Sequence, residues 1–160
     1  MITEVASCGD LLIDRELSIA FAESATAGRL TDEFSMVENA GKFLKGGIAC
    51  YDACLKESLL RVPAALIKQY TPESMEVTEA IASGLSRLIA ADIHIGITGL
   101  PAPGGSETAE KPVGTMFFYG LHDAKTIFSD RIVFSGNPEE VVLQSVKHTA
   151  LLINNYLSGL

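Results

Sequence analysis

No apolar run in this 160-residue chain reaches the roughly 18 residues that a membrane-spanning helix requires. Basic side chains are also scarce, with 12 Lys and Arg against 20 Asp and Glu and a net charge of −8. Nucleic acids are held through clustered cations, so no nucleic-acid partner is expected. A small anionic substrate stays open, because a pocket can be locally positive on an acidic protein. The first 16 residues carry acids early and lack a basic segment leading into an apolar one, so no signal peptide is read there. Cys8, Cys50 and Cys54 are odd in number and include no CxxC pair, which fits free buried thiols in a reducing compartment. Cys50 and Cys54 have no companion pair, and His94, His122 and His148 are scattered, so no metal site is expected.

What is present suits a globular protein: 48% apolar and 20% charged residues, in a length that serves one domain over residues 1–160. Val5, Cys8, Leu11, Leu12 and Ile13 predict a helix over residues 3–16. Residues 17–22 form a short apolar run suited to a buried strand, which stops at Glu23-Ser24 before a helix from Thr26 to Phe34. A second strand is predicted over 46–51, entered through Gly46-Gly47, with Asp52 capping a helix from Ala53 to Leu60. Pro63 ends that segment and can open a short helix at its first position. A long amphipathic helix runs to about Ala90, with Val77, Ile81, Leu85 and Leu88 on one stripe. Residues 93–98 form a further buried strand, residues 99–111 a long Gly/Pro loop, and residues 113–121 and 126–134 a hairpin. Asn137 or Pro138 opens the last helix, to about Tyr156. The order α-β-α-β-α-α-β-β-β-α predicts an α/β fold, a three-layer α/β/α sandwich around a mixed sheet.

Three stretches have the residue types that chemistry needs. Ser24 lies in the turn Glu23-Ser24-Ala25-Thr26-Ala27-Gly28, between a strand end and a helix start, where backbone N–H groups are unpaired and an oxyanion could be stabilised. Taken alone, Ser24 or Thr26 reads more simply as a helix cap. Lys56 stands about one helical turn past Tyr51. It could serve as a base only if burial brought its pKa down from the usual value of about 10.4, with Tyr51 tuning it by hydrogen bonding. A solvated pair with Glu57 is the plainer reading. The Thr98-to-Gly105 stretch follows a buried strand, where open α/β sheets place ligands, and Gly104 and Gly105 permit close backbone approach to an anion.

These stretches together resemble the CinA C-terminal domain family, in the same order from roughly Glu16 to Leu157. The family turn Glu-Ser-Cys-Thr-Gly-Gly is matched by residues 23–28, and Gly-Gly-x-x-x-Tyr-x-x-x-x-Lys by Gly46-Gly47 through Tyr51 to Lys56. Thr-Gly-x-x-x-Pro-Gly-Gly is matched by Thr98-Gly99 to Gly104-Gly105, and Lys-Pro-Val-Gly-Thr by Lys111 to Thr115. The resemblance implies a serine/lysine amidohydrolase that deamidates nicotinamide mononucleotide to nicotinic acid mononucleotide and ammonia. Ser24 would be the nucleophile, Lys56 its base, and Tyr51 a third catalytic residue. Thr26, Gly46 and Gly47 would bind substrate from one side; Thr98, Gly99, Gly104, Gly105 and Lys111 would do so from the other. A cytoplasmic homo-oligomer acting on a small-molecule nucleotide, without cofactor or membrane partner, is the corresponding expectation. Two family arginines that look suited to a phosphate fall on Pro138 and Val142, so weaker phosphate binding is expected unless Lys42, Lys45 or Arg131 compensates. A non-catalytic or retargeted paralogue that binds a nucleotide or a partner protein is the alternative.

Overall fold

A computed structural model describes residues 2–160. Helix α1 (Thr3–Asp14) buries Val5, Cys8 and Leu12, the helical spacing read from the sequence, while Leu11 and Ile13 lie at its half-buried flank. Strand β1 (Ile19–Glu23) is buried along its whole length. Its side chains alternate between two cores: Ile19 and Phe21 face one, Ala20 and Ala22 the other.

β1 is an inner strand of a five-stranded mixed sheet with β2 (Leu44–Ala49), β3 (Ile93–Gly99), β4 (Thr115–His122) and β5 (Lys125–Val133). The order is β2-β1-β3-β4-β5; β1 is parallel to both β2 and β3, and the remaining pairs are antiparallel. Helices α1, α2 (Arg29–Ser35) and α6 (Pro138–Ser158) pack on one face, around Phe21, Phe34 and Ile95. The other face is covered by α5 (Met75–Leu88), with α4 (Ala64–Tyr70) and the residues following α3 (Ala53–Ser58) beside it. The architecture is therefore the expected α/β/α sandwich.

Several boundaries differ from the sequence-based expectation. α2 starts at Arg29 rather than Thr26, because residues 24–28 form a turn in which Ala27 and Gly28 have φ of 48° and 99°. Gly46 and Gly47 lie within β2 rather than ahead of it. Pro63 is the residue before α4 rather than its first residue, and α4 is the short helix anticipated there, which the predicted order left out. Leu88 is 50% exposed at the end of α5, where the buried stripe has already turned away. The hairpin closes at His122–Lys125 on only two residues, Asp123 and Ala124, with φ of 48° and 62°, the left-handed pair that a tight type I′ turn uses. At α6 both sequence candidates take part: Asn137 caps and Pro138 follows as the first helical residue.

Small residues on β1 and β3 let α5 lie close to the sheet. A Cβ added at Gly96 would stand 2.5 Å from the Thr78 carbonyl oxygen, which is helix backbone and cannot swing away. Gly96→Ala should therefore force α5 outward and cost about 1–3 kcal/mol, read as a lowered midpoint in urea unfolding. An unchanged midpoint would show that this packing is looser than the distances state.

Candidate active site

β1, β2 and β3 run parallel, so their C-terminal ends lie together, the end of an α/β sheet at which ligands are placed. β1 leads into the turn before α2, and β3 leads into the long loop that ties to the α4–α5 connection before returning as β4. The turn after β1 is organised by Glu23. Its side chain is fully buried and accepts five hydrogen bonds: from the hydroxyls of Thr26 and Thr31 and from the backbone N–H groups of Gly28, Leu30 and Thr31. A buried carboxylate is tolerable only when its lone pairs are so engaged. Glu23 thus takes the start of α2 for itself, and no anion is left to be held by that helix. Among the described residues, the backbone N–H groups of Ala25 and Thr26 have no acceptor. Ser24 is 6% exposed, and its N–H donates to the Ile97 carbonyl on β3.

Lys56 reaches this turn from α3. It is only 1% exposed, and its Nζ lies 2.9 Å from Ser24 Oγ and 2.9 Å from the Cys50 carbonyl, with the Tyr51 carbonyl at 3.5 Å. Burial lowers its pKa from the ordinary lysine value, against smaller opposing contributions from Cys50, Glu73 and Asp52. A neutral amine has two N–H donors and one lone pair. As an ammonium Lys56 donates to Ser24 Oγ and to the two carbonyls; once neutral, its two donors would keep the carbonyls and its lone pair would face the Ser24 hydroxyl.

Ser24 opens into a cavity of 210 Å³ whose walls are Ala25, Tyr51, Glu73 and the backbone of residues 99–105. Gly99, Gly104 and Gly105 therefore stand at the cavity, as does Tyr51, which is 68% exposed. Tyr51 approaches Lys56 through its carbonyl rather than its phenol, so the anticipated side-chain hydrogen bond is not the one formed. The other sequence candidates are structural neighbours. Thr26 is spent on Glu23. Thr98 is fully buried and shares a 2.8 Å hydrogen bond with Thr78 of α5. Gly46 and Gly47 do not line the cavity; at Gly47 a Cβ would stand 2.0 Å from Thr31 Oγ1, so that glycine lets α2 pack on β2. Lys111 donates to Thr71 Oγ1, the Glu73 carbonyl and Ser106 Oγ, all within 2.8 Å, which uses all three of its N–H groups to tie the long loop to the α4–α5 connection.

The cations considered as substitutes for the two arginines do not serve either. Lys42 and Lys45 belong to the N-terminal end of β2, opposite to the cavity. Arg131 donates to the Glu110 carbonyl and lies over the Phe117 ring. Two residues that sequence reasoning missed have clear roles: Glu23, organising the serine turn, and Glu73, lining the cavity. An acid ending an otherwise apolar strand was the available signal for Glu23. Cys54 is exposed, unlike Cys8 and Cys50, which corrects the expectation of three buried thiols.

The family model for the CinA C-terminal domain matches residues 3–157. The chain belongs to the CinA C-terminal domain family. CinA-like proteins of Desulfotalea psychrophila and Thermotoga maritima are 32% and 33% identical to it, each over 93% of this chain and 36% of their own length. The chain thus spans about a third of these curated relatives. Among solved structures, the competence damage-inducible protein A of Klebsiella pneumoniae superposes with a TM-score of 0.92 at 26% identity, covering 97% of this chain and 95% of that one. A competence or damage-inducible protein of Enterobacter asburiae superposes at 0.90 with 25% identity, covering 96% of each.

In this CinA domain no helix among the described residues is long and apolar enough to cross a membrane. Ala25 packs in one apolar cluster with Ile97, Met116 and Val141, so the first turns of α6 adjoin the serine turn. Pro138 and Val142 stand there without a charge. Glu23→Gln should replace an acceptor by a donor aimed at N–H groups. A loss of about 1.5–3 kcal/mol is expected in thermal or urea unfolding, because hydrogen bonds to a charged group are being removed. A variant as stable as the parent would show that the turn does not depend on this carboxylate.

Proposed function

We propose that this domain is a serine/lysine amidohydrolase that releases ammonia from a carboxamide, with nicotinamide mononucleotide as the substrate implied by its family resemblance. One observation carries the reading: a buried lysine, lowered in pKa by its burial, is aimed at a serine that opens into a cavity.

In the first step, Ser24 Oγ attacks the carboxamide carbon as Lys56 Nζ takes the hydroxyl proton. The negative charge passes to the carboxamide oxygen, for which the free Ala25 and Thr26 N–H groups are the nearest unspent donors of the turn. Lys56 then returns the proton to the nitrogen, the C–N bond breaks, and ammonia leaves an ester on Ser24. Water attacks that ester with Lys56 again as base, restoring the serine and releasing the acid. The Cys50 and Tyr51 carbonyls orient the amine in both half-reactions, and Tyr51 offers its ring to a flat substrate at the mouth.

Ser24→Ala should lower ammonia release by at least about a thousandfold while leaving the fold intact, as loss of an activated nucleophile does. Lys56→Arg should be about as damaging, because a guanidinium stays protonated at any working pH. Either variant keeping activity within severalfold of the parent would sink the dyad.

The pH dependence has a fixed sign. Lys56 works only when neutral, so kcat/KM should rise with pH along an acid limb. Since burial lowers the Lys56 pKa, the midpoint of that limb should fall below the ordinary lysine range. A rate that falls with rising pH over this interval would assign the base elsewhere.

A further inference from the structure

Glu73 sits on the connection between α4 and α5, and its position is over-determined. Thr71 Oγ1 and the Lys111 ammonium both donate to its carbonyl, and Ser106 Oγ donates to its Oε2. The second carboxylate oxygen, Oε1, has no hydrogen-bond partner among the described residues, and Glu73 lines the same cavity as Ser24. Oε1 stands 3.7 Å from where a Cβ on Gly105 would be. Glu107 Oε2 stands at the same distance from that point, buried and without a partner, while its Oε1 accepts the Gly104 N–H at 2.8 Å. The glycine pair that could have received an anion is therefore flanked by carboxylate oxygens.

The Lys111 ammonium, which donates to the Glu73 carbonyl and to Ser106 Oγ, offsets one of the two carboxylates, and no cation among the described residues lines the cavity itself. The three N–H groups of Lys111 are committed to the loop, and the guanidinium of Arg131 is committed to Glu110 and Phe117. The start of α6 is closed by the reciprocal Asn137–Glu140 cap and carries Glu139 and Glu140. The exposed ring of Tyr51 adds a π face, which attracts positive charge.

We propose that Glu73 is a specificity-determining residue that makes this cavity favour cationic carboxamides without a phosphate over their phosphorylated counterparts. The inference rests on the amidohydrolase reading for its kinetic test and on the cavity alone for its binding test.

Nicotinamide riboside and nicotinamide mononucleotide share a pyridinium carboxamide and differ by one phosphate, so their ratio reads the effect. At low salt, kcat/KM for ammonia release should be about tenfold higher for the riboside, a difference that shrinks as salt screens the charges. Glu73→Gln, which keeps an acceptor for Ser106, should bring the two values together. If that variant does not fold, the salt dependence of the parent protein decides alone. A parent that prefers the mononucleotide, a ratio that salt does not move, or a folded Glu73→Gln protein with the parent's ratio would overturn the proposal. Should no carboxamide yield ammonia, the amidohydrolase reading fails by itself. Equilibrium binding of both compounds to Ser24→Ala then decides the charge preference: tighter riboside binding supports it, and equal or tighter mononucleotide binding refutes it.

Discussion

A carboxylate with no access to water ends β1, and the local structure around the dyad follows from the need to satisfy it. Glu23 accepts five hydrogen bonds from residues 26–31, which draws the chain into a tight turn and delays the start of α2. Because the next helix closes on Glu23, Ser24 is presented from a turn, with its N–H tied to β3 and the following two N–H groups left over. The residue beside the proposed nucleophile thus acts on geometry rather than on substrate. It also removes the positive end of α2 from use, so stabilisation of a developing oxyanion has to come from single N–H groups of the turn. That is a more local and more directional source than a whole helix end.

Lys56 imposes the opposing constraint. Holding an amine in an apolar setting destabilises its charged form, and the fold accepts that cost at a point where a neutral amine is chemically useful. The three oxygens around Nζ come from β1's turn and from the segment leaving β2, so the parallel pairing of β1 with β2 is what brings the serine and the lysine together. Gly47 allows α2 to pack against this pair of strands, and Gly96 allows α5 to pack on the opposite face. Two close approaches on either side of β1 therefore leave little slack in the distance between Oγ and Nζ.

Much of this was legible in the chain itself. The short apolar run that became β1 and the helical spacing of Val5, Cys8 and Leu12 are local features of the sequence, and both survived folding. The meeting of Ser24 with Lys56 was legible only through the order of four motifs, since neither residue alone distinguishes a solvated side chain from a buried one. What stayed hidden depended on partners far away in sequence. The resemblance places Lys111 among the substrate-binding residues, and nothing local shows that Thr71, Glu73 and Ser106 consume its donors. Glu73 drew no attention because it precedes a helix, where acids are common for dipole reasons. Gly46 and Gly47 read as the entry to a strand and, through the resemblance, as substrate-binding, whereas their strand pairing and the proximity of Thr31 make one of them a packing position.

The electrostatic character of the cavity follows from those same hidden contacts. A lysine held by three oxygens keeps its charge beside Glu73 but has no N–H left for a ligand, so the Glu73 carboxylate is the charged side chain that lines the cavity. Ser106 binds one oxygen of that carboxylate and leaves the other facing the space that a substrate must enter. Glu73 also opposes, through its charge, the lowering of the Lys56 pKa. Under the proposed mechanism one residue would thereby couple ligand charge to the protonation of Lys56: a cationic ligand screening Glu73 would favour the neutral lysine, and an anionic one would favour the protonated form. The proposed charge selectivity and the proposed catalysis would then move in the same direction, because both read the potential at the same end of one small cavity.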